Sequence, residues 1–138
     1  MELLNGELTD GIINVFYDVY NELGYGFLEK VYQNSMYIEL KSRGFQVESQ
    51  KRISVFYKGK EVGEYYADLV VNRQVIIELK AAASIIKEFE CQLINYLRGT
   101  DLEVGLLFNF GRKAEFRRRI LENGEKMGTR MTRIYKTK

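Results

Sequence analysis

The chain of 138 residues has no histidine and a single cysteine, Cys91. Without histidine there is no ordinary general base, no imidazole-based serine or cysteine triad and no imidazole metal site. One cysteine excludes an internal disulfide and a cysteine-clustered zinc site. Any metal must therefore rest on oxygen ligands, which favours hard cations such as Mg2+ or Mn2+. Long apolar runs are also missing. None approaches a membrane span, and the opening "MELLNGELTD" is acidic rather than a basic leader with an apolar core. The expectation is a cytoplasmic protein with no membrane contact. No repeat, low-complexity stretch or linker interrupts the chain, so residues 1–138 are expected to form one domain around one core.

Charge is scarce in net terms and uneven in placement. The balance is +2 overall. Residues 1–111 hold 11 Lys/Arg against 16 Asp/Glu, and residues 112–138 hold 10 against 3. A mildly acidic body thus carries a basic end, which suits either a phosphate-facing patch or a solubilising tail.

Periodicity gives the elements. Leu8, Ile12, Val15, Phe16, Val19 and Leu23 recur in steps of three and four, a helical stripe. "GYG" at 24–26 breaks it, and a second helix is expected from about Phe27 to Arg43, stopped by Gly44. "FQVES" is a short strand candidate. "RISVFY" alternates into a turn at Lys58-Gly59-Lys60, so the next strand returns antiparallel. Tyr65–Val71 and Val75–Lys80 read as strands. Ile86, Phe89, Leu93, Tyr96 and Leu97 mark a helix closed by Gly99, and "EVGLLFNF" is a buried strand. "KAEFRRRILE" reads as a short basic helix, and "TRMTRIYKTK" as an edge strand or loose tail. The order implies an α/β fold with a mixed central sheet flanked by helices.

Two strands contain charges that a core would reject. Glu78 and Lys80 share a strand face by alternation, with Leu79 on the other. With a loop at Asn72-Arg73-Gln74, Val71 pairs with Val75 and Asp68 falls opposite Glu78; a two-residue turn would put them on opposite faces. Opposed carboxylates repel unless something positive lies between them. A divalent cation supplies that charge and takes both as ligands. Lys80 would then stabilise developing negative charge or position a water. An ion pair of Lys80 with either carboxylate on a solvated sheet face explains the same triplet. Downstream, Gln92 and Tyr96 are four apart and share a helix face. Upstream, "GFLEKVY" supplies Gly26, Glu29 and Tyr32; Glu29 also suits a helix first turn whatever its function.

Taken together, Asp68, Glu78-Leu79-Lys80 and Gln92-x-x-x-Tyr96 resemble the PD-(D/E)XK nuclease superfamily, on the RecB-type branch with an extra Gln-x-x-x-Tyr element. More narrowly, Gly26-x-x-Glu29-x-x-Tyr32, "ADLVV", "VIIELKA", "QLINYLRGT" and "GLLFNFG" are similar to the GxxExxY proteins. The resemblance runs from about Gly24 to Arg119 and implies a restriction-endonuclease-like core. It further implies that Asp68, Glu78 and Glu29 bind Mg2+ or Mn2+, that Lys80 is catalytic, and that Gln92 orients the site with Tyr96 beside it. Ala67 stands where the superfamily's name has proline.

The activity implied is hydrolysis of a phosphodiester bond, in DNA with RNA left open. Arg117, Arg118 and Arg119 are the candidates for backbone contact; on a helix they would fan over about 200°. Exposed strand tyrosines, Tyr57, Tyr65 and Tyr66, could stack on bases. A homodimer or partner protein would supply specificity that a chain this short has little room for. A noncatalytic nucleic-acid-binding or assembly module on the same fold is the alternative.

Overall fold

A computed structural model describes residues 5–126. Helix α1 (Gly6–Leu23) and helix α2 (Glu29–Ser42) lead into strands β1 (Val47–Tyr57), β2 (Lys60–Val71) and β3 (Val75–Lys80). Helix α3 (Lys87–Arg98), strands β4 (Val104–Phe110) and β5 (Ala114–Ile120), and a 3-10 turn at Asn123–Lys126 complete the order. The sheet runs β1-β2-β3-β4-β5. All neighbours are antiparallel except β3 and β4, which α3 joins as a crossover. The expected α/β architecture with a mixed sheet is what forms.

The sheet's two faces bury different helices. Ile12, Val15, Phe16 and Val19 of α1 and Tyr32, Met36 and Leu40 of α2 cover Leu69, Ile77, Leu79, Leu106 and Phe108. Phe16 stacks on Phe108 with ring centroids 4.3 Å apart. On the other face, Leu93, Tyr96 and Leu97 of α3 cover Val70, Ile76 and Leu107. Gly105 of β4 lies directly under α3, where a Cβ would sit 2.6 Å from Leu93 Cδ1. Burial on both faces explains why β3 and β4 read as continuous apolar runs.

Three local expectations change. "FQVES" and "RISVFY" belong largely to one strand, β1, which carries a left-handed residue, Gln50, at φ 51°. The expected basic helix at "KAEFRRRILE" is instead strand β5. Its Arg, Glu and Lys favour a helix locally, but the open edge of β4 has backbone groups to satisfy, and a seven-pair antiparallel ladder does so. Phe116 then seats against Phe108. The segment Thr129–Lys138 lies outside the described residues.

Candidate active site

The turn between β2 and β3 sets the register. Asn72 and Arg73 adopt left-handed conformations at φ 53° and 56°. Gln74 N–H donates to Val71 C=O at 2.9 Å, and Asn72 Oδ1 accepts from Gln46 N–H at 2.8 Å. The three-residue loop pairs Val71 with Val75 and Leu69 with Ile77, as the spacing implies. One step further the backbone ladder stops. Side chains take over: Asp68 N–H donates to Glu78 Oε1 at 3.1 Å, and Leu79 N–H donates to Asp68 Oδ2 at 2.8 Å. Each strand's backbone thus holds the other strand's carboxylate, and both acids stand on one side of a splayed strand pair.

Their electrostatics follow from burial and proximity. Glu78 is 3% exposed. Burial first, and then the Asp68 charge, push its pKa up to about 9. Burial also raises Asp68, against lowering contributions from the Leu79 amide and from Lys80. Burial and the neighbouring Asp68 charge thus favour the protonated form of Glu78. Lys80 does not neutralise the pair by contact: among the described residues no ion pair joins it to either acid, and its Nζ sits over the Phe89 ring, 4.8 Å from the centroid. The ion-pair explanation of the triplet is therefore not what forms.

The other expected residues divide. Gln92 Nε2–H donates to the Tyr96 hydroxyl at 3.1 Å, and burial with the nearby Glu78 and Asp68 charges raises the Tyr96 pKa. Lys80, Gln92 and Tyr96 line an open cleft of about 430 Å³ together with Tyr65 and Phe89. Tyr57, Tyr65 and Tyr66 are exposed, and the Tyr65 ring leans on Tyr96 at 5.2 Å. Glu29 opens α2 and approaches the same site; partial burial raises its pKa, Lys80 lowers it and Asp68 raises it. Tyr32 is structural: it is buried, stacks on Phe110 at 4.1 Å, and its hydroxyl donates to Gly24 C=O at 2.7 Å. That bond holds the loop from which Glu29 emerges.

Because β5 is a strand, its three arginines alternate rather than fan. Arg117 pairs with Leu107 and Arg119 with Gly105, on the α3 face that carries Glu78 and Lys80. Arg119 is tied to Glu90 of α3. Arg118 points to the other face, where its Nε–H donates to Thr9 Oγ1. The three cannot serve one surface.

Three residues escape the sequence reading. Gln50 stands opposite Asp68, Gln33 accepts from the Gln50 side-chain amide, and neither gives a pattern signal. Asn109, fully buried, lies in the run "GLLFNF", where a lone amide among apolar neighbours was the available signal. It pairs laterally with Lys80 and bonds Ala82 twice: its Oδ1 accepts from Ala82 N–H at 2.9 Å, and its Nδ2–H donates to Ala82 C=O at 3.0 Å.

The model of the PD-(D/E)XK nuclease superfamily matches residues 6–120, from α1 through β5. The chain belongs to the PD-(D/E)XK nuclease superfamily. Ala67-Asp68 and Glu78-Leu79-Lys80 are the parts of this chain that answer to the superfamily's name, with alanine in place of proline. The sheet and its flanking helices are consistent with the restriction-endonuclease-like fold of PD-(D/E)XK proteins. Among solved structures, the crystal structure of SSO0001 is similar at 18% identity and a TM-score of 0.59. The match covers 78% of this chain but 57% of that one, so this chain spans little more than half the other's length. No curated protein matches.

PD-(D/E)XK nucleases use divalent metal ions, and the donor set here suits one. It is two adjacent carboxylates with no cationic side chain in contact among the described residues. Among the described residues no group of three or more Asp, Glu, Cys or His side chains closes on a single point. Glu29 therefore approaches without completing a three-carboxylate cage. Two carboxylates supplemented by water and substrate oxygens are an ordinary arrangement for Mg2+. Among the described residues no helix is long and apolar enough to cross a membrane.

Proposed function

We propose that this PD-(D/E)XK protein is a metal-dependent nuclease that hydrolyses phosphodiester bonds of DNA, and that it belongs with the GxxExxY proteins. The observation that carries the reading is the Asp68–Glu78 pair. Two adjacent buried acids held by backbone amides cannot both ionise without cost unless a cation lies between them, and the raised Glu78 pKa expresses that cost. Asp68 and Glu78 would hold Mg2+ or Mn2+, with Glu29 adding negative charge at the rim. When bound, the cation lowers the pKa of a coordinated water and polarises the phosphoryl oxygen.

The rest is the work of the chain's own groups. Lys80 shares the face of Glu78, and its ammonium, parked over an aromatic ring, is available to a phosphate oxygen as charge builds there. Gln92 fixes the Tyr96 hydroxyl at the cleft wall. Arg117, on the same sheet face, would contact a backbone phosphate, and the exposed Tyr65 would stack on an unpaired base.

The test is a cleavage assay on single-stranded, double-stranded and branched DNA, with Mg2+, Mn2+ and EDTA in parallel. Cleavage should require the cation. Asp68→Ala, Glu78→Ala and Lys80→Ala should each lose it, by roughly 100-fold or more; Asp68→Asn and Glu78→Gln, which keep the acceptors for the Leu79 and Asp68 amides, should lose it with little loss of folding. Full activity in Glu78→Ala would sink the nuclease reading. Salt-dependent DNA binding without cleavage would make the chain a noncatalytic binding module.

A further inference from the structure

The β1–β2 ladder pairs Ser49 with Leu69 and Lys51 with Ala67, and it skips the pair between them, Gln50 and Asp68. The skipped position is where the chain spends conformational energy. Gln50 is a non-glycine residue at φ 51° in the middle of an eleven-residue strand. Such backbone is strained and persists where its surroundings demand it.

What the twist achieves is a directed side chain. Gln50 Nε2–H donates to Gln33 Oε1 at 3.1 Å. Gln50 stands opposite Asp68 at the skipped rung, and its side-chain amide acts to lower the Asp68 pKa. A carboxylate only accepts, so an amide N–H of Gln50 faces it. One NH2 group thus serves two acceptors, and the Gln33 oxygen fixes which way the amide points. A flipped amide would set carbonyl oxygen against carboxylate. Gln33 is 6% exposed, so its oxygen is held rather than wandering. It lies four residues after Glu29, on the same face of α2. Helix α2, which brings Glu29 to the site, is therefore also the member that orients Asp68.

We propose that Gln33 and Gln50 are positioning residues that aim the Asp68 carboxylate at a divalent cation, linking helix α2 to the cleft. The cation part rests on the nuclease reading; the aiming part does not. The two are measured separately. In metal-free protein, the reporter is the Leu79 amide, which donates to Asp68 Oδ2. In Gln33→Met that amide should exchange with solvent about tenfold faster, the equivalent of one lost hydrogen bond. Gln50→Met removes the aimed amide itself and should speed Leu79 exchange as much as Gln33→Met does.

The second readout is Mn2+ binding followed by electron paramagnetic resonance. Gln33→Met and Gln50→Met should each weaken it about 10–100-fold. The Gln33→Met/Gln50→Met double variant should lose little more than either single one, because both act through one chain of bonds. Unchanged Leu79 exchange in Gln33→Met overturns the proposal. So does wild-type Leu79 exchange in Gln50→Met, which would make the Gln33 role one of packing. A wild-type protein that binds Mn2+ no better than Asp68→Ala overturns the metal reading instead, and Leu79 still decides the aiming.

Discussion

Glu78→Gln should stabilise the metal-free protein while removing its activity, and the gain should grow with pH. The wild-type Glu78 pKa is about 9 when folded, against an ordinary 4.5. Between those values the folded state holds a proton that the unfolded chain releases. Stability is therefore greatest toward the acid end of that window and falls as pH rises through it, by at most about 1.4 kcal/mol per pH unit. From pH 6 to pH 8 the wild type should lose up to about 3 kcal/mol. A glutamine amide imitates the protonated acid: its oxygen can accept from Asp68 N–H and its NH2 can donate to the Asp68 carboxylate. It cannot ionise, so the variant should lose almost none of that stability. At this chain length, roughly 3–5 °C of melting temperature accompany each kcal/mol. Thermal unfolding in EDTA at pH 6, 7 and 8 should show wild type and variant diverging by about 10 °C. Saturating Mg2+ should flatten the wild-type dependence, since a bound cation replaces the proton. Parallel pH curves in EDTA would refute the raised pKa.

Two further outcomes separate residues that the sequence groups together. Arg117→Ala should reduce the salt dependence of DNA binding by about one counterion, whereas Arg118→Ala should leave it unchanged, because the two occupy opposite faces of β5; equal effects in a salt titration would contradict that placement. Gly111→Ala should destabilise the fold by about 1–3 kcal/mol, since a Cβ would meet Ala82 O at 2.5 Å and Asn109 Nδ2 at 3.0 Å; urea unfolding at wild-type stability would show that the contact gives way freely.

Much of the site was legible because it depends on strand alternation and turn length. The three-residue loop after Val71 and the lateral match of Asp68 with Glu78 follow from counting, and the register agrees. The order of helices and strands through Phe110 follows from apolar periodicity. What stayed hidden depends on contacts between distant segments. β5 carries helix-forming residues, and only the unpaired edge of β4 makes it a strand. Gln50 and Gln33 are unremarkable amides until the β1–β2 ladder skips a pair beside α2. Glu29 stands near enough to feel Asp68 and Lys80, but that it closes no three-carboxylate group among the described residues is a matter of distance that no spacing encodes.

Asn109 sets a boundary between what solvent conditions can change and what they cannot. The segment leaving β3 after Lys80 is clamped by a fully buried, uncharged amide that acts as one more rung of sheet. Protons and cations act on Asp68, Glu78 and Glu29, whereas the two bonds between Asn109 and Ala82 join uncharged groups. The frame should therefore stay still while the charges on it are retuned. Changes of activity with pH would then report ionisation of the acids rather than rearrangement of the backbone beneath them.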